Sequence, residues 1–256
     1  MKNLFSITNK IALVSGGSGG IGRMIAQGLV ENGVKTYIVA RDVARCRAAA
    51  AELSQSGQCI ALPGDLGTLE GVRRLTEELA QYEGHLDILV NNAGALSDTP
   101  LDDFSEDDWD SVMDLNLKSP FFLTQQLLPL LRRAATPTSP ARVINIGSVG
   151  GLRVSGRENY AYVASKAGLH HLTRALAKRL GSENITVNAI APGPFPSKLT
   201  ESASEEAKDA ICKQIPRGRF GEAEDIAGAV IYLSSRAGAY VTATLIPVDG
   251  GIFGTL

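Results

Sequence analysis

Residues 11–25 read IALVSGGSGGIGRMI and combine a short apolar run, a glycine-rich turn and the start of a helical pattern. Ile11–Ser15 has the length and apolar character of a buried strand. Gly16, Gly20 and Gly22 follow at the spacing G-x-x-x-G-x-G, where missing Cβ atoms let backbone N–H groups and a helix N-terminus approach an anionic pyrophosphate. The flanking strand and helix favour a dinucleotide-binding turn over a merely tight structural turn.

The rest of the chain repeats this alternation of short β-branched runs and longer helical patterns. We predict strands at residues 11–15, 35–40, 58–62, 87–91, 141–147, 185–191 and 244–248. We predict helices at residues 21–32, 42–56, 68–82, 106–116, 120–133, 160–181 and 223–234. This order predicts a single-domain α/β fold over residues 1–256: a Rossmann-like, doubly wound, seven-stranded parallel sheet with helices on both faces.

Composition excludes several classes of function. The 256 residues are 44% hydrophobic and 20% charged with a net charge of −2, which gives no reason to expect a nucleic acid or an anionic membrane as partner. No uncharged apolar run reaches the roughly 18 residues of a membrane span, and no signal peptide is evident at the start. Three scattered cysteines and three histidines, two of them adjacent, predict no metal site. We expect a cytoplasmic protein.

The end of the second predicted strand bears on the choice of coenzyme. NAD-selecting Rossmann proteins place a carboxylate there for the ribose 2′-hydroxyl, whereas an arginine accepts a 2′-phosphate. This chain has Arg41 at that point, followed by Asp42. Arg41 predicts NADP(H), although a solvated arginine at a helix start is the alternative interpretation.

Four polar residues are candidates for catalysis. Tyr162 and Lys166 are four residues apart and share a helical face, and a nearby ammonium favours ionisation of a phenol. This spacing alone is common in helices. Ser148 follows a predicted strand directly, where its hydroxyl can bond a substrate carbonyl. Asn116 falls at the predicted end of a helix, where a helix-capping role is the alternative.

Taken together, these motifs resemble the classical short-chain dehydrogenase/reductase family along essentially the whole chain. The matching pieces, in order, are SGGSGGIG (15–22), Asp65, NNAG (91–94), Asn116, Ser148, YVASK (162–166), NAIAPG (188–193) and VDGG (248–251). The resemblance implies an oxidoreductase that transfers hydride between a nicotinamide and a ketone or secondary alcohol.

The resemblance also implies the roles of the catalytic residues. Tyr162 is the general acid in reduction, and Lys166 lowers the pKa of that phenol while binding the nicotinamide ribose. Ser148 positions the carbonyl, and Asn116 helps to hold a water in a proton relay. Tyr160 precedes the motif, but it lies six residues from Lys166, which is the wrong helical phase.

The coenzyme contacts follow from the same resemblance. Asp65 is expected to meet the adenine, and Asn91, Ala93 and Gly94 are expected to line the cleft. The full predicted set is Gly16, Ser18, Gly20, Ile21, Gly22, Arg41, Asp65, Leu66, Asn92, Ala93, Gly94, Tyr162, Lys166, Pro192, Gly193 and Phe195. Gly19 stands where many NADP-using relatives carry an arginine. That leaves Arg41 as the main expected phosphate ligand, with Arg23 as a possible substitute.

Four segments resemble the 3-ketoacyl reductase branch of that family: ARD (40–42), QQLLPLLRR (125–133), PARVINIGSV (140–149) and APGPFPSKLT (191–200). They imply reduction of a 3-oxoacyl thioester to the 3-hydroxyacyl form, and hence a role in lipid metabolism. One alternative is a dehydrogenase of a secondary alcohol such as a steroid, sugar or xenobiotic. Another is a nucleotide-sensing regulator, which the retention of all four polar groups disfavours.

Two segments are expected to shape the substrate pocket: residues 96–109 and the substrate loop, about 193–212. They contribute the apolar side chains Leu96, Phe104, Phe195 and Leu199. An acidic acyl carrier protein would dock on clustered cations. The candidates are Arg153, Arg157, Lys198, Arg217 and Arg219, with scattered surface charges as the alternative interpretation.

Residues 121–133 are apolar around much of a predicted helix, which indicates contact with the sheet on one side and a second surface on the other. The alternative is burial by loops of the same chain. We expect an oligomer, and the family resemblance implies a homotetramer.

Overall fold

The computed structural model describes residues 2–154, 156–196 and 204–255. One sheet of seven parallel strands runs through it in the order β3-β2-β1-β4-β5-β6-β7. The strands are β1 (Ile11–Ser15), β2 (Lys35–Val39), β3 (Cys59–Ala61), β4 (Ile88–Asn91), β5 (Ala141–Ile146), β6 (Ile185–Pro192) and β7 (Leu245–Val248). The predicted fold class is confirmed, and the strand order reverses between β1 and β4, where such sheets bind ligands.

The helices are α1 (Gly20–Glu31), α2 (Val43–Leu53), α3 (Leu69–Tyr82), α4 (Glu106–Met113), α5 (Ser119–Ala134), α6 (Tyr160–Leu180), α7 (Glu205–Cys212), α8 (Ala223–Ser234) and α9 (Ile252–Thr255). Asp42 and Thr68, predicted as the first residues of helices, are N-caps whose side chains accept backbone N–H groups. Helix α7 lies in the expected substrate loop, where the sequence predicts no helix, and Ser204 caps it.

The two faces of the sheet carry separate cores, as a doubly wound fold requires. Along β1, Ala12 and Val14 pack with α1, α2 and α8, whereas Ile11 and Leu13 pack with α3, α5 and α6. This alternation follows from the period of two in a strand, with both faces apolar because both are covered.

Helices α4 and α5 are joined without a break, which differs from the sequence prediction. Residues Asp114–Lys118 form a π turn between them, so a helix that ends at Asn116 is wrong. Pro120 has no N–H to donate to the carbonyl of Asn116, four residues earlier, and the regular α-helical ladder is interrupted there. The wider turn directs the Asn116 side chain into the protein, where only 1% of the residue is exposed.

No helix of the described segments combines the length and the apolar character that crossing a bilayer requires.

Candidate active site

The glycine-rich turn lies between β1 and α1 and presents backbone rather than side chains. Gly16 and Gly20 have positive φ angles of 68° and 52°, which side chains rarely allow. A Cβ on Gly20 would meet nothing within 4 Å, and the α1 N-cap Gly19 supplies no side-chain hydrogen bond to the first turn. The first-turn N–H groups and the open space beside Gly20 therefore suit an anionic group such as a pyrophosphate.

Beside this turn lies a cavity of about 410 Å³, here called the nucleotide cavity. Its lining residues are Gly16, Ser18, Val39, Ala40, Arg41, Asp42, Arg45, Gly64, Leu66, Ala93, Gly94 and Leu115. Six of the predicted coenzyme ligands are among them. Asp65 is not, because its exposed carboxylate turns back to accept the N–H of Gly67 at 2.9 Å.

The two asparagines at the carboxyl end of β4, Asn91 and Asn92, have different positions from those expected. The side chain of Asn91 is buried within the fold, where its amide donates to Asn145 Oδ1 at 2.8 Å and to Thr124 Oγ1 at 3.2 Å. It does not line the cleft, so that expectation is corrected. The amide of Asn92 donates to the carbonyl of Ser15 at 2.9 Å and thereby holds the glycine-rich turn from behind.

A second cavity of about 640 Å³, here called the reaction cavity, lies at the carboxyl ends of β5 and β6. Its lining residues are Ile21, Val149, Gly150, Arg153, Gly156, Arg157, Tyr162, Gly193, Pro194, Phe195, Pro196, Ile211, Gln214, Phe220 and Ile252. Three predicted coenzyme ligands, Ile21 at the start of α1 and Gly193 and Phe195 after β6, therefore share one cavity with Tyr162. Pro192, another predicted coenzyme ligand, is the last residue of β6 and directly precedes Gly193.

Tyr162 and Ser148 are neighbours in this site. A Cβ on Gly150 would stand 3.3 Å from Ser148 Oγ and 3.5 Å from Tyr162 Cε1, so the hydroxyl and the ring flank the same point. Burial raises the pKa of Tyr162, while a hydrogen bond with Ser148 and the positive charge of Arg157 act to lower it. A phenol held in this way stays protonated at neutral pH and has a proton to donate.

Lys166 is buried behind the phenol. Its Nζ donates to the carbonyl of Ile146 at 2.9 Å and lies 5.7 Å from the ring centroid of Tyr162. Burial lowers the pKa of Lys166 to about 8. Lys166 is not among the groups that shift the pKa of Tyr162, so its expected effect on that phenol stays a prediction.

Asn116 holds a backbone segment rather than a helix end. Its Oδ1 accepts the N–H of Ala95 at 2.7 Å, and its Nδ2 donates to the carbonyl of Ala95 at 3.0 Å and to Ser165 Oγ at 3.1 Å. The capping alternative does not apply. A Cβ added to Gly94 would stand 3.2 Å from Oδ1 of Asn116 and 3.7 Å from Nζ of Lys166, so the π turn brings Asn116 close to Lys166 of α6.

His170 is a site residue that the sequence reasoning missed. Its Nε2 accepts the backbone N–H of Ser148 at 3.4 Å, and its ring fills the space where Gly147 and Gly151 have no side chains. Burial, followed by the charge of Lys166, lowers its pKa to about 4. The imidazole is therefore neutral at physiological pH and able to accept. The available signal was its position four residues after Lys166, on the same helical face.

Arg45 is a second missed residue. It lines the nucleotide cavity from the first turn of α2, four residues after Arg41. Arg23, expected as a possible phosphate ligand, instead pairs with Glu52 on α2 at 2.5 Å. The sequence offered the spacing of Arg41 and Arg45, but only the fold shows that α2 directs Arg45 towards the turn.

Of the two predicted substrate segments, residues 193–212 contribute Phe195 and Ile211 to the reaction cavity. Residues 96–109, including Leu96 and Phe104, are not among its lining residues and instead contact the segment around the start of α6. Arg157 pairs with Asp98, and Tyr160 packs edge-on against Phe104 with ring centroids 5.8 Å apart. The hydroxyl of Tyr160 donates to Glu158, so Tyr160 does not line the cavity. Lys198 and Leu199 lie outside the described residues.

The candidate docking arginines form two pairs. Arg153 and Arg157 line the reaction cavity, and Arg217 and Arg219 line a neighbouring cavity of about 550 Å³. Arg219 is engaged by Asp225 at 2.6 Å and 3.0 Å, which limits its availability to a partner.

Comparisons with known proteins agree with this geometry. A family model described as enoyl-(acyl carrier protein) reductase matches residues 16–253. The rhamnolipids biosynthesis 3-oxoacyl-[acyl-carrier-protein] reductase of Pseudomonas aeruginosa is 50% identical over 253 residues, which are 98% of this chain and 99% of that protein. The 3-oxoacyl-[acyl-carrier-protein] reductase FabG of the same species is 40% identical over 97% of this chain and 99% of its own. The structure of the Pseudomonas aeruginosa RhlG/NADP active-site complex matches with a TM-score of 0.95 and 49% identity, covering 99% of this chain and all of that one.

Proposed function

Because this chain belongs to the short-chain dehydrogenase/reductase family, we propose that it is an NADP(H)-dependent oxidoreductase that reduces 3-oxoacyl thioesters to their 3-hydroxyacyl forms. One observation carries the proposal: the phenol of Tyr162 lines the reaction cavity, with the hydroxyl of Ser148 as its hydrogen-bond partner and the buried ammonium of Lys166 5.7 Å from its ring centroid. The 3-oxoacyl reductases among the relatives support the choice of substrate.

The residues present fit the coenzyme. The open glycine-rich turn and the N-terminus of α1 suit the pyrophosphate, and Arg41 offers a planar guanidinium to a 2′-phosphate. Ile21, Gly193 and Phe195, which line the reaction cavity together with Tyr162, would hold the nicotinamide. When bound, the reduced coenzyme supplies the hydride that makes the carbonyl carbon a secondary alcohol carbon.

The chain itself supplies the proton and orients the carbonyl. The hydroxyl of Tyr162 donates a proton to the carbonyl oxygen as negative charge develops there, and Ser148 donates a hydrogen bond to the same oxygen. His170 fixes the backbone of Ser148, which keeps the hydroxyl beside the phenol. Lys166 places a positive charge within the site, where low polarity strengthens its field.

An acyl thioester on an acidic carrier protein suits the arginines at the entrance. Arg153 and Arg157 line the reaction cavity, so an anionic carrier or its phosphopantetheine arm would meet positive charge there. With this substrate class, the role that we propose is in lipid metabolism, in the cytoplasm.

The assembly that we propose is a homotetramer. On α5, Phe121 and Phe122 are only partly buried and pack edge-on at 5.0 Å, which leaves aromatic surface for a second copy. Light scattering at micromolar concentration tests the assembly, and a monomeric mass would contradict it.

A substrate panel followed at the nicotinamide absorbance tests the reaction. We expect NADPH oxidation with 3-oxoacyl thioesters of coenzyme A and of acyl carrier protein, and much slower oxidation with NADH. Cyclic ketones, steroids and sugars form the control arm, because they represent the alternative function of a secondary-alcohol dehydrogenase. Turnover of that arm without any thioester turnover would overturn the proposed substrate class and leave the reaction type intact.

A further inference from the structure

The N-cap of α1 leaves a gap that a side chain from another helix fills. Gly19 has an extended backbone and contributes no capping side chain. A Cβ added to Gly19 would overlap Nη2 of Arg45 and stand 3.1 Å from its Cζ. The guanidinium of Arg45 therefore lies directly over the turn, in space that is open because residue 19 is glycine.

The neighbouring charges show which groups share this position. Arg41 and Arg45 both line the nucleotide cavity, together with Ser18 and one carboxylate, Asp42. Asp42 is the N-cap of α2, and its Oδ1 accepts the N–H of Arg45 at 3.0 Å. The carboxylate is thus engaged in holding the first turn of α2, while two guanidinium groups face the same cavity.

We propose that Arg45 is a second ligand of the 2′-phosphate of NADP(H), and that Gly19 is required at the turn because it leaves room for this arginine. This inference rests on the proposed coenzyme and adds the residue that selects it. The cation reaches the phosphate from α2 rather than from the glycine-rich turn. Arg23 does not compete for this role, because it pairs with Glu52.

The chemistry favours a phosphate over the hydroxyl of NADH. A phosphate monoester carries nearly two negative charges at neutral pH and several acceptor oxygens. Two guanidinium groups that approach from different elements can each donate paired hydrogen bonds to it. A ribose 2′-hydroxyl has no charge for them to neutralise, so Arg45 should affect the two coenzymes differently.

Replacement of one arginine tests the assignment by binding alone. We expect Arg45→Ala to weaken NADPH binding about ten- to hundredfold, measured by fluorescence of the reduced nicotinamide, and to leave NADH binding within about twofold. The matched control is Arg47→Ala, an exposed arginine of the same helix that does not line the cavity. Adenosine 2′,5′-bisphosphate as competitor should lose affinity in parallel with NADPH. Equal losses for NADPH and NADH, or no loss for either, would overturn the proposal.

Variants at residue 19 test the same contact from the other side. Gly19→Ala should displace the flexible end of Arg45 and weaken NADPH binding, while Gly19→Ala combined with Arg45→Ala should be no weaker than Arg45→Ala alone. Gly19→Arg should restore much of the NADPH affinity in the Arg45→Ala background, because it supplies a cation from the turn. Full additivity in the double variant would overturn the assignment; thermal melting confirms that each variant is folded.

The wild-type protein separates this inference from the proposed function. If it binds NADH as tightly as NADPH, the proposed coenzyme fails. If it prefers NADPH and Arg45→Ala keeps that preference, only the inference fails.

Discussion

The nucleotide cavity and the reaction cavity lie at the same edge of the sheet and use positive charge in opposite ways. Arg41 and Arg45 are exposed and keep their charges in contact with water. Lys166 is only 5% exposed, and burial lowers its pKa to about 8. The comparison indicates that binding a charged coenzyme needs accessible cations, whereas proton transfer needs groups whose ionisation is set by burial.

The largest expected effect concerns the proton donor of the reaction cavity. Tyr162→Phe should lower kcat by about 10²–10⁴-fold, because it removes the hydroxyl that donates the proton. NADPH binding, measured by fluorescence, should change little. Tyr160→Phe is the matched control, since Tyr160 does not line the cavity. Unchanged turnover in Tyr162→Phe would remove this residue from the mechanism.

The buried charge of Lys166 should cost stability in a pH-dependent way. In the folded protein the pKa of Lys166 is about 8, below the ordinary value of 10.5. Burial of the charged amine therefore lowers the free energy of unfolding below pH 8, and this penalty disappears as the pH rises from 8 to 10.5. In Lys166→Met this contribution is absent. As the pH rises across that range, the free energy of unfolding of wild type should therefore increase by about 3 kcal/mol relative to that of Lys166→Met.

Urea unfolding at pH 7 and at pH 10 measures this difference. Lys178→Met, at an exposed position of the same helix, serves as the control and should show no comparable change. If the difference in free energy of unfolding between Lys166→Met and wild type does not change with pH, burial does not lower the pKa of Lys166.

In the nucleotide cavity, the exposed arginine after β2 should affect binding rather than turnover. We expect Arg41→Ala to raise the Kd of NADPH by about tenfold and to leave that of NADH nearly unchanged, since one charge-assisted contact is lost. At saturating NADPH, kcat should be retained. A large fall in kcat with unaltered Kd would break the proposed separation between the two cavities.

The smallest expected effect concerns Asp42. Asp42→Asn keeps the capping oxygen of α2 but removes a negative charge from the nucleotide cavity. NADPH should bind about two- to threefold more tightly at low salt, and the gain should shrink as salt screens the charges. Asp42→Ala, which also removes the cap, distinguishes the charge from the helix. A gain of equal size for NADH would show that the 2′-phosphate is not involved.

Sequence patterns predicted the features that depend on local chemistry. The strands were found because both faces are covered and their residues are almost uniformly apolar, and the glycine-rich turn because only glycine suits its backbone. The resemblance brought Tyr162, Lys166 and Ser148 together, and the structure places them in one site. These residues are close in sequence or follow a strand directly.

What the sequence did not predict depends on contacts between distant elements. The π turn at Asn116 looks like an ordinary helix end, because its partner Ala95 lies 21 residues away. Asn91 resembles a cleft residue until the fold shows that its partners are Asn145 and Thr124. Arg45 and His170 carry the right spacing, but their roles depend on Gly19 and Gly147 in other elements.

The hydrogen bond between the buried amides of Asn91 and Asn145 also favours the correct register of β4 against β5. These two residues are direct partners in the pairing of β4 with β5, and a slip of one residue would turn Asn91 towards the opposite, apolar face. Asn92, the next residue, would then lose its hydrogen bond to the carbonyl of Ser15, which holds the glycine-rich turn. A molecule with the shifted register would thus be less stable and unable to bind coenzyme. Asn91 and Asn92 therefore link the correct pairing of β4 to the ability to bind coenzyme.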